Sequence, residues 1–237
     1  MQTKAVIFDR DNTLLTTDRA QLTRIQVRLE NLAPGLSIEA LGAAWERWPG
    51  PWPHSVGEEP AFWLAFCAAV ARERGHKTPV EQLAVELDAL YHTCFCAFAD
   101  AAPTLTALHT LGLRLAVLSN FELPSIARTL AHAGLDPALF AVTRNSAAIG
   151  WAKPHPQAFL AIAEALALPP AACCLIDDLA ENVAGARLVG MRAYRIDRAL
   201  PQGDPANGTI SSLLDLIGLL TAACVPFHAL ATYDSLP

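Results

Sequence analysis

Charge is thin in this sequence: Asp, Glu, Lys and Arg make up 17% of its 237 residues, and 17 basic side chains are outnumbered by 23 acidic ones. No window gathers a dense basic run and the formal net charge is −6, so the electrostatic footprint that nucleic acid demands is missing. Long apolar runs are missing too. No uncharged apolar stretch reaches the length of a membrane span, and the apolar part of the N-terminal MQTKAVIFDRD is far too short for a signal peptide. Neither nucleic acid nor membrane is therefore expected as a partner, and a cytoplasmic location is expected. The six cysteines, Cys67, Cys94, Cys96, Cys173, Cys174 and Cys224, contain no CxxC pair, which leaves them as reduced, buried apolar residues. Cys94 and Cys96 would point to opposite sides of a strand or lie about 200° apart on a helix, poor geometry for zinc.

What the sequence does have is apolar bulk, 53% of its residues, enough to bury a substantial core. At this length one large domain, or a core with a smaller inserted one, is expected. Ala5-Val6-Ile7-Phe8 is a short apolar run without alternation, as in a strand buried on both faces of a parallel sheet. Leu113 to Leu118 and Cys173 to Ile176 share that form. Each of the three stops at polar residues. Helical patterns follow at Pro103 to Leu111, Pro124 to Ala133, Pro156 to Leu166 and Glu181 to Val189. This alternation predicts an α/β fold, a Rossmann-like parallel sheet flanked by helices, whose ligand crevice lies at the carboxyl ends of the strands.

From about Asp18 to Ala99 the alternation breaks into consecutive helices with no convincing strand. Glu58 to Arg74, stopped by Gly75, is one helix; Thr78-Pro79-Val80-Glu81 reads as a capping box, with Pro at the first helical position, opening another that runs past Tyr91. The expected division is a core domain of residues 1–16 and 100–237 and an inserted helical cap domain of residues 17–99. Within the cap, the run Trp45 to His54 is a proline-stiffened loop with three tryptophans that either fasten the cap helices together or reach toward a ligand. A last apolar helix is expected from Ile210 to Ala223. There is no internal repeat.

Asp9 and Asp11 follow the first strand two residues apart, so both carboxylates can enter one crevice, where they repel unless a cation or shared proton compensates. Ser119 and Asn120 end the second strand and offer a hydroxyl and backbone N–H groups, the donors a phosphoryl oxygen needs. Lys153 stands just before the Pro156 helix. Asp177 and Asp178 end a buried strand, where adjacent acids cost solvation energy unless a metal or donors receive them. Asn182, four residues past Asp178, is placed to orient that carboxylate. Oxygen donors alone suit Mg2+, and no His or Cys cluster competes.

Four segments in order, Phe8-Asp9-Arg10-Asp11-Asn12-Thr13-Leu14, Leu118-Ser119-Asn120, the run from Ser146 through Lys153 to Phe159, and Ile176-Asp177-Asp178-Leu179-Ala180-Glu181-Asn182, resemble the motifs of the haloacid dehalogenase-like hydrolase superfamily. The helical block between the first two is similar to that of its capped subgroup, which includes phosphoglycolate phosphatase-like enzymes and the phosphatase domain of soluble epoxide hydrolase. The resemblance implies a Mg2+-dependent phosphatase acting on a small phosphorylated metabolite. It assigns Asp9 as nucleophile, Asp11 as general acid and base, Ser119, with Thr13 and Asn120, as phosphate contacts, and Lys153 as the charge that offsets nucleophile and phosphate. Mg2+ would be held by Asp9, the backbone carbonyl of Asp11 and an acid of the fourth motif, Asp178 in preference to Asp177, with Asn182 in support.

Two positions depart from the family pattern. Asn12 replaces the usual Gly, and Asn tolerates left-handed backbone; Arg10 is either a surface residue or a substrate contact. The alternatives are a phosphomutase, which shares the motifs, a 2-haloacid dehalogenase, which lacks an acid at the position of Asp11, and a non-catalytic binding protein on this fold.

Overall fold

The computed structural model describes residues 2–74 and 79–221. The chain opens with β1 (Ala5–Phe8) and β2 (Leu15–Thr17), runs through α1 (Arg19–Leu32), α2 (Ile38–Glu46), α3 (Glu59–Arg74) and α4 (Val80–Tyr91), and returns along β3 (Phe95–Ala97). It then alternates through α5 (Ala101–Thr110), β4 (Arg114–Ser119), α6 (Ile126–His132), β5 (Phe140–Asn145), the one-turn α7 (Ser146–Ile149), α8 (Pro156–Ala165), β6 (Cys173–Asp177), α9 (Ala180–Leu188), β7 (Arg192–Ile196), β8 (Thr209–Ile210) and α10 (Asp215–Thr221).

Six strands form one sheet in the order β5-β4-β1-β6-β7-β8, every pairing parallel. Parallel pairing requires crossovers, and the helices that supply them cover both faces. The alternation of side chains along β1 shows how the faces divide. Val6 and Phe8 join Leu115, Val117, Cys174 and Ile176 under α5, α6 and α10, while Ala5 and Ile7 join Ala116, Leu118, Cys173 and Leu175 under α8 and α9. All of β1 is fully buried, which is why it reads as an unbroken apolar run. The chain moves from β1 outward to β4 and β5 on one side and to β6, β7 and β8 on the other, so the order reverses at β1, and the carboxyl ends of β1, β4 and β6 open onto one crevice.

The helices α1 to α4 bury a separate apolar cluster, with Leu29, Phe62, Phe66, Leu83 and Leu87 at its centre. Trp45, Trp48 and Trp52 pack into this cluster, and His54 Nδ1 donates to the Ala147 carbonyl at 2.9 Å, so the loop of tryptophans fastens helices together.

Four local expectations are corrected. The stretch from Asp18 to Ala99 does contain a strand: β3 pairs antiparallel with β2, and three residues are too few to show a period. Ile210 belongs to β8, and the last helix begins at Asp215. β5 and β7 carried no signal, because their mixed burial leaves no continuous apolar run. α4 starts at Val80 with Pro79 as its cap residue; Thr78, Gly75 and Cys224 lie outside the described residues. Cys67, Cys173 and Cys174 are buried, whereas Cys94 and Cys96 are half-buried.

Candidate active site

The site is assembled where β1, β4 and β6 end. Asp9 N donates to the Ile176 carbonyl at 2.8 Å, which sets where the chain leaves β1. The turn that follows holds Asn12 at φ 54°, the left-handed region that Asn accepts more readily than most side chains. Asp9, Asp11, Asn12, Ser119, Asn120, Phe121, Glu122, Lys153, Asp178, Leu179 and Asn182 line a single pocket of about 260 Å3.

Lys153 organises it. Its Nζ donates to Asp9 Oδ1 at 2.6 Å and to Asp177 Oδ2 at 2.7 Å, and the side chain is 4% exposed. Burial disfavours the ammonium, yet Asp9 and Asp177 hold its pKa above the ordinary lysine value. Burial pushes the Asp9 carboxyl up to about 7, with Lys153 pulling against it and Asp177 adding to it. The loop carrying Lys153 is braced by Asn120, whose Oδ1 accepts from Lys153 N and whose Nδ2 donates to Lys153 O, both at 2.7 Å. The Asn120 amide is therefore committed to positioning Lys153, and its backbone carbonyl accepts from Ser146 Oγ at 3.1 Å. Ser119 is buried, and its Oγ accepts from Phe121 N at 3.2 Å.

The two acids of β6 have different surroundings. Asp177 is fully buried beneath the pocket and its oxygens are engaged: Lys153 on Oδ2, Asn182 Nδ2 and Leu179 N on Oδ1 at 2.9 and 3.0 Å. The expectation that Asn182 orients Asp178 is thus corrected; the start of α9 turns Asn182 back onto the strand end, and Asp177 receives it. Asp178 faces the pocket, and Asn12 Nδ2 at 3.2 Å is its one side-chain hydrogen-bond partner among the described residues. Burial raises the Asp178 pKa, with Asn12 opposing. Thr13 is fully buried, does not line the pocket, and its hydroxyl has no hydrogen-bond partner among the described residues. The turn points it inward, away from the pocket lining where a substrate contact is expected.

Asp9, Asp177 and Asp178 bring carboxylate oxygens within 4.8 Å of one another. Three acids share one lysine, and Asp178 keeps acceptor capacity on the pocket side, a donor set that fits a hard divalent cation.

Arg10 is neither on the surface nor lining the pocket. It is 1% exposed, its guanidinium lies 3.8 Å over the Phe121 ring and 4.7 Å over that of Phe95, and it grips Asp11 through Nη2 at 2.8 and 2.9 Å and Nε at 3.1 Å. Nothing in local sequence signals this clamp: Phe95, on β3, and Phe121, just past β4, are both far from Arg10 along the chain. Phe121 and Glu122, also unforeseen in the pocket, follow directly on Asn120, so their nearness to the strand end was the available signal.

A family model described as haloacid dehalogenase-like hydrolase matches residues 3–190. Phosphatase MT3486 of Mycobacterium tuberculosis is 34% identical over 228 residues, 94% of this chain and 99% of that protein. Among solved structures, 2-haloacid dehalogenase from Pseudomonas syringae pv. Tomato aligns with a TM-score of 0.68 at 21% identity, over 93% of this chain and 99% of that one. A HAD phosphatase from Thermococcus onnurineus aligns with a TM-score of 0.59 at 25% identity, over 92% and 98%. With strand ends, motifs and overall similarity in agreement, the chain belongs to the haloacid dehalogenase-like hydrolase family.

Proposed function

We propose that this hydrolase is a phosphatase that cleaves a small phosphate monoester through a phosphoaspartyl intermediate on Asp9. The observation that carries this reading is Asp11, which stands two residues past Asp9 in the same pocket; a leaving alkoxide needs a proton donor, and displacement of a halide does not. Similarity to a phosphatase over nearly the whole chain supports it. The dehalogenase-like structure argues for the fold alone.

Asp9 attacks phosphorus in line, using the oxygen that Lys153 does not hold, while the Lys153 ammonium offsets charge on the nucleophile and the phosphoryl oxygens. The Ser119 hydroxyl and the backbone N–H groups after β4 orient the phosphoryl group. Asp11 protonates the departing oxygen and then takes a proton from the water that attacks phospho-Asp9. Asp9, Asp178 and the backbone carbonyl of Asp11 would hold Mg2+, which when bound supplies charge neutralisation at the phosphoryl oxygens. Residues 17–99 act as a cap that excludes water from the core formed by 1–16 and 100–237.

Phosphate release across a panel of phosphorylated metabolites, with Mg2+ and with chelator, is the test. Release should need Mg2+ and should be lost in Asp9→Asn. With p-nitrophenyl phosphate, whose leaving group needs no proton, Asp11→Asn should give a burst of nitrophenol near one equivalent and trap phosphate on Asp9. With an alkyl phosphate the same variant should slow roughly 10²- to 10⁴-fold. Phosphate trapped on another residue overturns the nucleophile, and a positional isomer of a sugar phosphate in place of free phosphate makes the enzyme a mutase.

A further inference from the structure

The turn between β1 and β2 carries Asp11 and Asn12 into the pocket, and it is closed at its base by Leu14 N and Leu15 N, which donate to the Arg10 carbonyl at 3.0 and 2.8 Å. Asn12 holds the disfavoured left-handed conformation within it. The carbonyls of Asn12 and Thr13 take no part in that closure. A buried carbonyl needs a donor, and Thr13 is fully buried.

Arg198 supplies the donors. It lies just past the carboxyl end of β7, 185 residues from Thr13 along the chain. Its Nη2 donates to the Thr13 carbonyl at 2.6 Å and its Nε to the Asn12 carbonyl at 3.3 Å. Asp100 holds the guanidinium from another edge, accepting from Nη1 at 3.0 Å and from Nη2 at 3.1 Å, and the face of the group lies 3.6 Å over the Phe98 ring. Asp100 is itself fixed, because its Oδ2 also accepts from Ser212 Oγ at 2.8 Å and Leu213 N at 2.9 Å. Burial would raise the Asp100 carboxyl, yet Arg198, Leu213 N and Ser212 hold it below the ordinary aspartate value. Arg198 does not line the pocket, and all three of its guanidinium nitrogens are engaged.

We infer that Arg198 is a positioning residue for the reaction: by gripping the Asn12 and Thr13 carbonyls it fixes the turn in the form that aims Asp11 at the leaving oxygen and keeps Asn12 Nδ2 on Asp178. The inference rests on the phosphatase reading. Arg198 stands outside residues 3–190, the part of the chain that matches the family model, so it is a contribution of this chain's own C-terminal segment. The task calls for a planar fork, since successive carbonyls on one edge and a carboxylate on another are met by donors in fixed directions, which the single nitrogen of a lysine cannot provide. The nucleophile is anchored separately. Asp9 N donates to the Ile176 carbonyl and Lys153 Nζ holds Asp9 Oδ1, so the grip of Arg198 bears on Asp11 and Asn12 and leaves Asp9 in place.

Arg198→Lys provides the test, because it keeps the charge and removes the fork. At saturating Mg2+ it should lower kcat on ethyl phosphate at least about tenfold, while the single-turnover release of nitrophenol from p-nitrophenyl phosphate, a step that uses Asp9 and needs no acid, should change less than about threefold. Independently of activity, hydrogen exchange in the segment Asp11–Leu15 should speed up at least about tenfold in the variant, with β4 and β6 unaffected. Equal losses on the two esters, or faster exchange spread evenly over turn and sheet, would make Arg198 a general stabilising contact and overturn the proposal. Unchanged kinetics and exchange overturn it as well, and leave the phosphatase reading standing. Faster exchange confined to the turn, in a protein whose wild type releases phosphate from neither ester, upholds the grip on the turn and overturns the phosphatase reading. Should Arg198→Lys not fold, Asp100→Asn serves: it keeps the size of the side chain, removes the counter-charge that orients Arg198, and should give the same split between the esters, whereas a wild-type ratio of the two rates overturns the proposal.

Discussion

Lys153 decides what each of its acidic neighbours can do. By engaging Asp9 and Asp177 together it turns Asp177 into a buried structural partner, and the pocket-facing Asp178 is left with acceptor capacity to spare. Asp178→Asn should therefore raise the Mg2+ concentration needed for half-maximal phosphate release by tenfold or more with little change in thermal stability. Asp177→Ala should do the reverse in emphasis: it leaves a buried ammonium short of one counter-charge, a loss of about 3–5 kcal/mol when such a pair is broken. Mg2+ titration and urea denaturation of the two variants check this, and a metal defect confined to Asp177→Ala would exchange their roles. Arg10 acts on Asp11 in a comparable way. Its planar fork reaches both carboxylate oxygens while its faces lie on Phe95 and Phe121, a combination that a lysine ammonium cannot reproduce. Arg10→Lys should lower kcat by about tenfold or more on an alkyl phosphate with a smaller change in KM, and it should be nearly silent on phosphorylation by p-nitrophenyl phosphate, which bypasses the acid. Stopped-flow comparison of the two esters reads that difference.

At the scale of elements, the placement of Lys153 depends on how closely α9 approaches the loop before α8. Gly185, within α9, permits that approach: a Cβ there would stand 2.6 Å from the Pro154 carbonyl oxygen and 2.9 Å from the Phe159 ring. The first of these is backbone and cannot swing aside. Gly185→Ala gains helix propensity yet should destabilise the protein by about 1–3 kcal/mol, the usual cost of overpacking. Because Pro154 follows Lys153 directly, kcat should fall as well, and a thermal melt with a kcat measurement tests both. A variant as stable and active as wild type would mean that α9 can retreat at no cost. The β-ribbon of β2 and β3 has a related position: it leads into and out of the helical block, pairing Leu15 with Ala97 and Thr17 with Phe95, and Phe95 extends from it to Arg10.

Across the whole molecule, the helical block is joined to the sheet through a buried polar seam. His92, at the end of α4, shares hydrogen-bonding contacts with Thr129 Oγ1 at 2.9 Å and Ser125 Oγ at 3.3 Å, while Glu59 from α3 accepts from Ser125 N at 2.7 Å. Burial pushes the His92 pKa down to about 4; Arg128 and His132 add to that push, and Asp88 at 3.9 Å opposes it. The folded protein thus favours neutral His92. Its contribution is complete above the unfolded value of about 6.5 and declines as pH falls from there toward 4, since the unfolded chain takes up the proton first. The stability gap between wild type and His92→Asn, measured by urea denaturation, should shrink between pH 7 and pH 4. A gap that stays constant over that range would show that His92 contributes packing alone.

The sequence by itself determined the parallel α/β core and the order of its motif segments, because both rest on local chemistry. A strand buried on both faces must read as an apolar run, and the acids that end it have few uses other than chemistry. The left-handed Asn12 and the shared crevice of Asp9, Asp11, Ser119 and Lys153 were legible for that reason. Tertiary structure alone decided which acid of β6 receives Lys153, that Asn182 supports Asp177, that Thr13 turns inward, and that Arg10 is sealed between Phe95 and Phe121. Asn182 reaches Asp177 over five residues, whereas the Lys153–Asp177 pair and the Arg10 clamp join separate parts of the chain, and spacing along a sequence carries no record of which side chain a carboxylate will meet once water is excluded.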